Sequence, residues 1–384
     1  MYRLTQEQQD IVARARDVAE KVLRPQAERI DAEGVFPREA VTALGEAGIL
    51  GMTVPREFGG LGQGLRTACA VLDELAQRCA STAMVFNMHL CGVACYAAAP
   101  KAAGEQLRDV ARGRHLTTLA FSERGSRSHF WAPVSRERAE GGRSVISAEK
   151  SWVTSAGEAD GYVVSTQWTS GKSPIESMLY LILQGDLGLA VDGPWSGLGM
   201  RGNSSSPMRL EGVVVGPERA LSPPGKGLDI MLGVVLPVFQ LGQAAIARGI
   251  AEAAVDATCA HLTSKKFEHL GTSLADLPTL RARLAQMRIE TDRAHAHIVC
   301  TLDSLEQPGP MTQLLVLETK AAATEAAATV TEAGMRACGG AAFSRHLGLE
   351  RNFRDARASV VMAPTTDQVH EFIGRALCGM ELFA

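Results

Sequence analysis

The chain has 384 residues, 46% hydrophobic and 21% charged, with a net charge of −3. That length supports a large core shared by two or three layers, and the near-balanced charge points to neither nucleic acid nor an anionic membrane surface as a partner. The opening residues are polar, so no secretory leader is read there, and no unbroken apolar run reaches the roughly 18 residues of a membrane-spanning helix. A soluble, cytoplasmic protein is expected.

From residue 5 to about 118 the pattern is helix after helix. Ile11, Ala15, Val18, Val22 and Leu23 recur at helical spacing, and Pro25 closes or bends that element. "FPREAVTALGEAGILGM" predicts a second helix, entered through Pro37 and ended near Gly48. "VPREFGGLGQG" reads as a loop, and two further helices fill "LRTACAVLDELAQRCASTAMVFNMHLCGVACYAAA".

The texture changes near Thr117. Six β-rich runs follow between turn clusters: "HLTTLAFS", "RSVISAEKSWVTSA", "GYVVSTQW", "MLYLILQ", "LAVDGPW" and "MRLEGVVV". Strands at this spacing argue a compact β-domain. After "GPERALSPPGKG" long amphipathic helices return and run to the end. The expected organisation is an N-terminal helical domain over 1–116, a barrel-like middle β-domain over 117–222, and a C-terminal four-helix bundle over 223–384. The fold is thus mostly α with a central β-domain.

The cysteines are Cys69, Cys79, Cys91, Cys95, Cys259, Cys300, Cys338 and Cys378. They lack zinc-type spacing. Cys91 and Cys95 share a helix face, yet buried free thiols are the expected state and no metal site is predicted.

Four fragments, in order, carry a resemblance. "AFSERGSRS" is similar to an Ala-x-Thr-Glu-x-x-x-Gly-Ser stretch, "KSWVTSAGEADGYVV" to a Trp-Ile-Thr strand and turn, and "MRGNSSSPMRLEGVVVGPERAL" to a link into a helical bundle. "RACGGAAFSRHLGLERNFRDARA" is similar to a Gly-Gly-x-Gly…Arg-Asp-Ala run. Together they resemble the acyl-CoA dehydrogenase superfamily over essentially the whole chain. The resemblance implies an FAD-dependent oxidoreductase acting on an acyl-CoA thioester, with an electron-transfer flavoprotein or O2 as acceptor. It also implies a homotetramer whose FAD sites are built from two chains.

By position in those motifs, Phe121, Ser122 and Ser128 would face the flavin, Trp152 would cover its ring, and Thr154 would hydrogen-bond near its reactive nitrogen. A half-buried strand aromatic beside turn serines would carry the same letters. Gly339 and Gly340 would let backbone approach the pyrophosphate, unless they simply end a helix. Thr365 and Asp367 match positions facing FAD. Phe267 matches the phenylalanine that reaches the partner's flavin, but its usual arginine is replaced in "SKKF". Lys265, Lys266 and Arg336 are the candidate replacements, since any of them could face a pyrophosphate.

The family's general base is a glutamate in a Tyr-Glu-Gly-Thr run. Here that run reads Met362, Ala363, Pro364 and Thr365. A second subgroup places the glutamate on the first long C-terminal helix, before an arginine, and those positions are Phe239 and Gln240. Both base positions are empty of carboxylate. Asp367, His370 and Glu371 are the nearby replacement candidates, and Gln240 is the expected catalytic polar group. Phe86 and His89 match the helix at the inner end of the acyl pocket and, with Met362, are the expected substrate contacts. His89 could instead be a histidine satisfied inside the helical core.

Three functions remain open on the sequence. One is turnover of an activated, polar or cyclic acyl thioester. A second is flavin monooxygenase or desulfinase chemistry. The third is a silent subunit paired with an active one.

Overall fold

The computed structural model describes residues 2–127 and 129–382. Helix α1 (Gln6–Val18) opens with a capping box, in which Thr5 accepts from the Gln8 backbone and the Gln8 side chain returns to Thr5. Pro25 lacks an N–H and crowds the preceding turn, so the helix widens into a π turn at Ala19–Leu23 and continues as α2 (Arg24–Glu33). The proline therefore bends the element, and Gly34, at φ 67°, ends it. Four helices follow: α3 (Arg38–Glu46), α4 (Leu65–Ala76), α5 (Ala80–Ala98) and α6 (Pro100–Ala111). Helix α5 is buried on all faces, which makes it the central helix of this part of the chain.

The middle of the chain holds β1 (Thr117–Ala120), β2 (Arg138–Glu140), β3 (Arg143–Val153), β4 (Gly161–Gln167), β5 (Ser177–Leu183), β6 (Leu189–Val191) and β7 (Ser206–Val215). They form two sheets, ordered β1-β4-β5 and β2-β3-β7-β6. Every β-rich run of the sequence contains one strand. The additional strand, β2, is charged and fully exposed, so it shows no alternation that a sequence reading could detect.

The C-terminal part comprises α7 (Gly227–Ile230), α8 (Leu236–Ser264), a hairpin of β8 (Lys266–Phe267) and β9 (Thr272–Ser273), α9 (Pro278–Glu306), α10 (Thr312–Cys338), α11 (Gly340–Phe343), α12 (Leu349–Val361) and α13 (Thr366–Leu377). A second π turn, Met231–Val235, precedes Pro237 and joins α7 to α8. This corrects one expectation. The joined run Gly227–Ser264 is apolar enough by composition to span a membrane, with a hydropathy of 1.9 over an 18-residue window, 61% of which is buried. It is buried because it is the core helix of the bundle, packed on α10, α4 and α5. Helix α12 runs on past the charged "RDARA" through Val361.

The Arg-Asp pair of α12 ties the three parts together. Arg354 makes a two-pronged ion pair with Asp31 of α2, at 2.8 and 2.6 Å, and donates to the Leu198 carbonyl at 3.2 Å. Asp355 accepts the Met200 N–H at 2.5 Å, and a Cβ added to Gly199 would stand 2.3 Å from the Arg354 carbonyl oxygen. Helix α12 and the 198–200 turn are in direct backbone contact there, and only glycine fits.

Candidate active site

A cavity of about 490 Å³ lies where α5, the loop after β1, the end of β3, the start of α8, the end of α12 and the 362–364 turn converge. Methionines 84, 88, 200 and 362 give it an adaptable apolar wall, completed by Phe121, Phe130 and Phe239. Its polar lining comes from Ser122, Ser151, Thr154 and Ser205. Thr154 and Ser205 share a hydrogen bond at 3.0 Å.

The backbone aims Trp152 at this space. Strand β3 pairs with β7 until Lys150↔Met208, then slips before Val153↔Ser206, so three steps on one strand face two on the other. That is a β-bulge, a device for redirecting a side chain. Trp152 sits in it at φ +56°, a left-handed conformation that costs a non-glycine residue about 1–2 kcal/mol. Its ring remains 66% exposed, lines the cavity, and meets Trp195 edge-on at 5.9 Å. A strained, uncovered aromatic ring beside a row of hydroxyls fits a flat ring system with polar edge atoms.

A buried ion pair holds the neighbouring loop. Lys150 Nζ donates to Glu123 at 2.5 Å and to the Ser165 carbonyl at 2.5 Å. Glu123 also accepts from the Val134 N–H (2.7 Å), the Ser135 N–H (2.6 Å) and the Ser135 hydroxyl (2.5 Å). Burial alone would raise the Glu123 carboxyl, but Lys150 and these donors overcome it and hold the group below its ordinary range. One residue before Glu123, the Ser122 carbonyl accepts the Ser151 N–H at 2.9 Å, so Ser122 and Trp152 are fixed to one frame.

Among the described residues no carboxylate lines the cavity, and Arg127 is the one ionisable side chain that does. Ala363 and Phe239, at the positions where the resemblance would put a base, both line it, as does Met362. The replacement candidates point elsewhere. Asp367 is exposed in the first turn of α13. Glu371 faces Arg375 at 3.6 Å, and His370 faces Glu325 at 3.3 Å. Thr365 caps α13 by accepting the Gln368 N–H at 3.3 Å and does not reach the cavity.

Several expected contacts are corrected. His89 is fully buried, with Nε2 3.0 Å from the Leu50 carbonyl and Nδ1 accepting the Thr117 N–H at 3.2 Å. Both ring nitrogens are occupied and burial lowers its pKa to about 4, so it is a neutral tie between α5 and β1. Phe86, stacked 6.2 Å from it, is core and does not line the cavity. Gln240 is fully buried, lies outside the lining, and has no hydrogen-bond partner on either amide atom. In this structure it does not face the cavity. Three residues on, the Gln243 amide donates to the sulfurs of Met84 (2.9 Å) and Met362 (3.2 Å), so it backs the methionine wall from behind.

Of the remaining expected cofactor contacts, Phe121, Ser122, Trp152 and Thr154 line the cavity, while Ser128 lies outside the described residues. Phe267, Arg336, Gly339 and Gly340 lie away from it. Phe267 is in the β8–β9 hairpin, and Arg336 lines a separate recess with Arg283 and Arg357. A Cβ on either glycine would meet nothing within 4 Å, so the backbone there is open to an incoming group. The sequence reading missed Arg127, Trp195 and Ser205. Arg127 had a signal: it replaces the glycine of the Gly-Ser motif, and its φ of +57° is the conformation that glycine favours.

Three domain models of one family match this sequence: the N-terminal domain of acyl-CoA dehydrogenase over 5–113, the middle domain over 118–213, and the C-terminal domain over 225–378. A probable acyl-CoA dehydrogenase, YngJ, from Bacillus subtilis is 27% identical over 380 residues, covering 98% of this chain and 99% of its own. The short-chain specific mitochondrial acyl-CoA dehydrogenase of Bos taurus is 29% identical over 357 residues, covering 92% and 85%. Butyryl-CoA dehydrogenase from Megasphaera elsdenii superposes with a TM-score of 0.89 at 22% identity, covering 98% and 99%. An FAD complex of PigA superposes with a TM-score of 0.89 at 18% identity, covering 98% of both chains. The chain belongs to the acyl-CoA dehydrogenase superfamily. It is a flavoprotein oxidoreductase, and its cofactor is FAD.

Proposed function

We propose that this flavoprotein acts on an acyl-CoA thioester whose own chemistry removes the need for a carboxylate base. The acyl group would carry an acidified α-position, a β-leaving group, or a polar or cyclic skeleton. The observation behind this reading is the cavity lining, in which Ala363 and Phe239 stand where the resemblance would put a base and, among the described residues, no carboxylate takes their place. Loss of a positioned general base costs on the order of 10²- to 10⁴-fold in rate, so a plain saturated chain is a poor substrate.

FAD, when bound, supplies the two-electron acceptor. Trp152, Ser122 and Thr154 would hold it, the tryptophan by ring contact and the hydroxyls at polar edge atoms. Phe239, Met84, Met88 and Met362 keep water from the acyl group and adjust to its outline. Phe267, Arg336, Gly339 and Gly340 lie away from this cavity, which favours a homo-oligomer in which they serve a cofactor shared with a second copy. The reduced flavin would pass its electrons to an electron-transfer flavoprotein or to O2.

The test is anaerobic mixing of the FAD-loaded protein with a panel of acyl-CoA thioesters, followed by air, with the flavin spectrum recorded throughout. Activated thioesters should bleach the flavin within seconds and butyryl-CoA should not. Rapid bleaching by butyryl- or octanoyl-CoA would refute the reading. An oxygenated product formed only after air would assign oxygenase chemistry.

A further inference from the structure

Lys320, on α10, is fully buried, and no carboxylate pairs with it among the described residues. Its Nζ donates to the carbonyl oxygens of Met362, at 2.9 Å, and Pro364, at 2.5 Å. Those two residues bracket Ala363, and all three line the cavity. One helical turn along α10, Thr324 meets the Thr366 hydroxyl at 3.4 Å, and Thr366 donates to the Val360 carbonyl at 3.2 Å. Helix α10 thus holds the turn at Met362, Pro364 and Thr366, and Thr366 closes it back onto the end of α12.

We propose that Lys320 is a positioning residue: it sets the cavity wall at Met362–Pro364 and thereby the place where the acyl group meets Ala363. The inference rests on the reading of this cavity as the reaction site. A buried amine without a counter-charge is a costly way to fill space, since desolvation opposes its charge and lowers its pKa to about 7. A methionine would fill the same volume without that cost. What a lysine adds is two N–H donors for two carbonyls of a non-helical turn, and it has them whether charged or neutral. The turn carries Pro364, which has no N–H of its own, so these carbonyls have few local donors.

The experiment compares wild type with Lys320→Met and Lys320→Gln, the latter keeping one amide donor. Hydrogen–deuterium exchange of the 359–368 segment needs no substrate and is read first. In Lys320→Met, exchange there should rise at least about tenfold, with α8 and α9 unchanged and FAD content retained. Lys320→Gln should fall between, and it serves as the test if the methionine variant does not fold. With the fastest thioester of the panel, the bleaching rate at saturation should then drop in the same order. Unchanged exchange in 359–368 overturns the proposal, as does exchange that rises equally across the bundle, which marks a general stability role. If no thioester reacts with wild type, the functional reading fails on its own, and the exchange result still decides the role of Lys320.

Discussion

Replacing Glu123 by glutamine removes the charge that compensates Lys150 while keeping the side chain's size. Both side chains are essentially inaccessible, at 0% for Lys150 and 2% for Glu123. Breaking a buried pair by removing one partner costs about 3–5 kcal/mol, because the other charge is left uncompensated. At roughly 2–4 °C per kcal/mol, Glu123→Gln should lower Tm by about 6–20 °C. The reverse change is milder. In Lys150→Met the carboxylate keeps three donors, from Val134 and Ser135. The double variant Glu123→Gln/Lys150→Met leaves no unpaired charge and should recover most of the loss. The assay is thermal unfolding of all four proteins with and without FAD, read as a double-mutant cycle. Because the pair anchors the loop bearing Ser122, FAD should stabilise Glu123→Gln less than it does wild type. A shift below about 2 °C in Glu123→Gln, or simple additivity in the double variant, would refute the reasoning.

Trp152→Gly should relieve left-handed strain and keep or raise the Tm of the apoprotein, by about 1–2 kcal/mol at most, while FAD affinity falls up to about tenfold; fluorescence titration of apoprotein with FAD checks both. Gln240→Leu removes a buried amide with no partner, so Tm should rise and turnover should not change; a loss of turnover at intact FAD content would return Gln240 to the chemistry. Burial raises the Asp355 carboxyl to about 6. A raised acid binds its proton more tightly when folded, so its contribution is complete below about pH 4 and is lost as pH rises to about 6, a swing of about 3 kcal/mol. Asp355→Asn should therefore gain on wild type over that window in urea unfolding, and parallel pH curves would contradict the assignment.

The order of helices, β-domain and bundle was legible because it rests on local period. Ile11, Ala15 and Leu23 mark one face of a helix, and every β-rich run became a strand. What failed was local chemistry overruled by tertiary neighbours. Pro25 read as a residue that closes or bends its helix, yet it is absorbed by a π turn and the helix goes on. His89 and Gln240 read as pocket residues because position along a helix says nothing of which neighbour takes the side chain. The Leu50 carbonyl, 39 residues from His89, takes one ring nitrogen. Arg127 was visible as a departure from a glycine motif, and Lys320 was not, since its partners lie 42 and 44 residues away.

The proposed absence of a general base is tested most directly by solvent exchange at the substrate's α-carbon. The FAD-loaded protein is incubated anaerobically with butyryl-CoA in D2O, and deuterium at the α-position is followed by mass spectrometry. Ala363→Glu/Pro364→Gly, which returns a carboxylate to the cavity wall, is the positive control. Wild type should exchange no faster than the enzyme-free solution, and the double variant should exchange well above it. Deuterium uptake by wild type within the first turnovers would show that a base serves this cavity, and the claim that the chain works without one would fall.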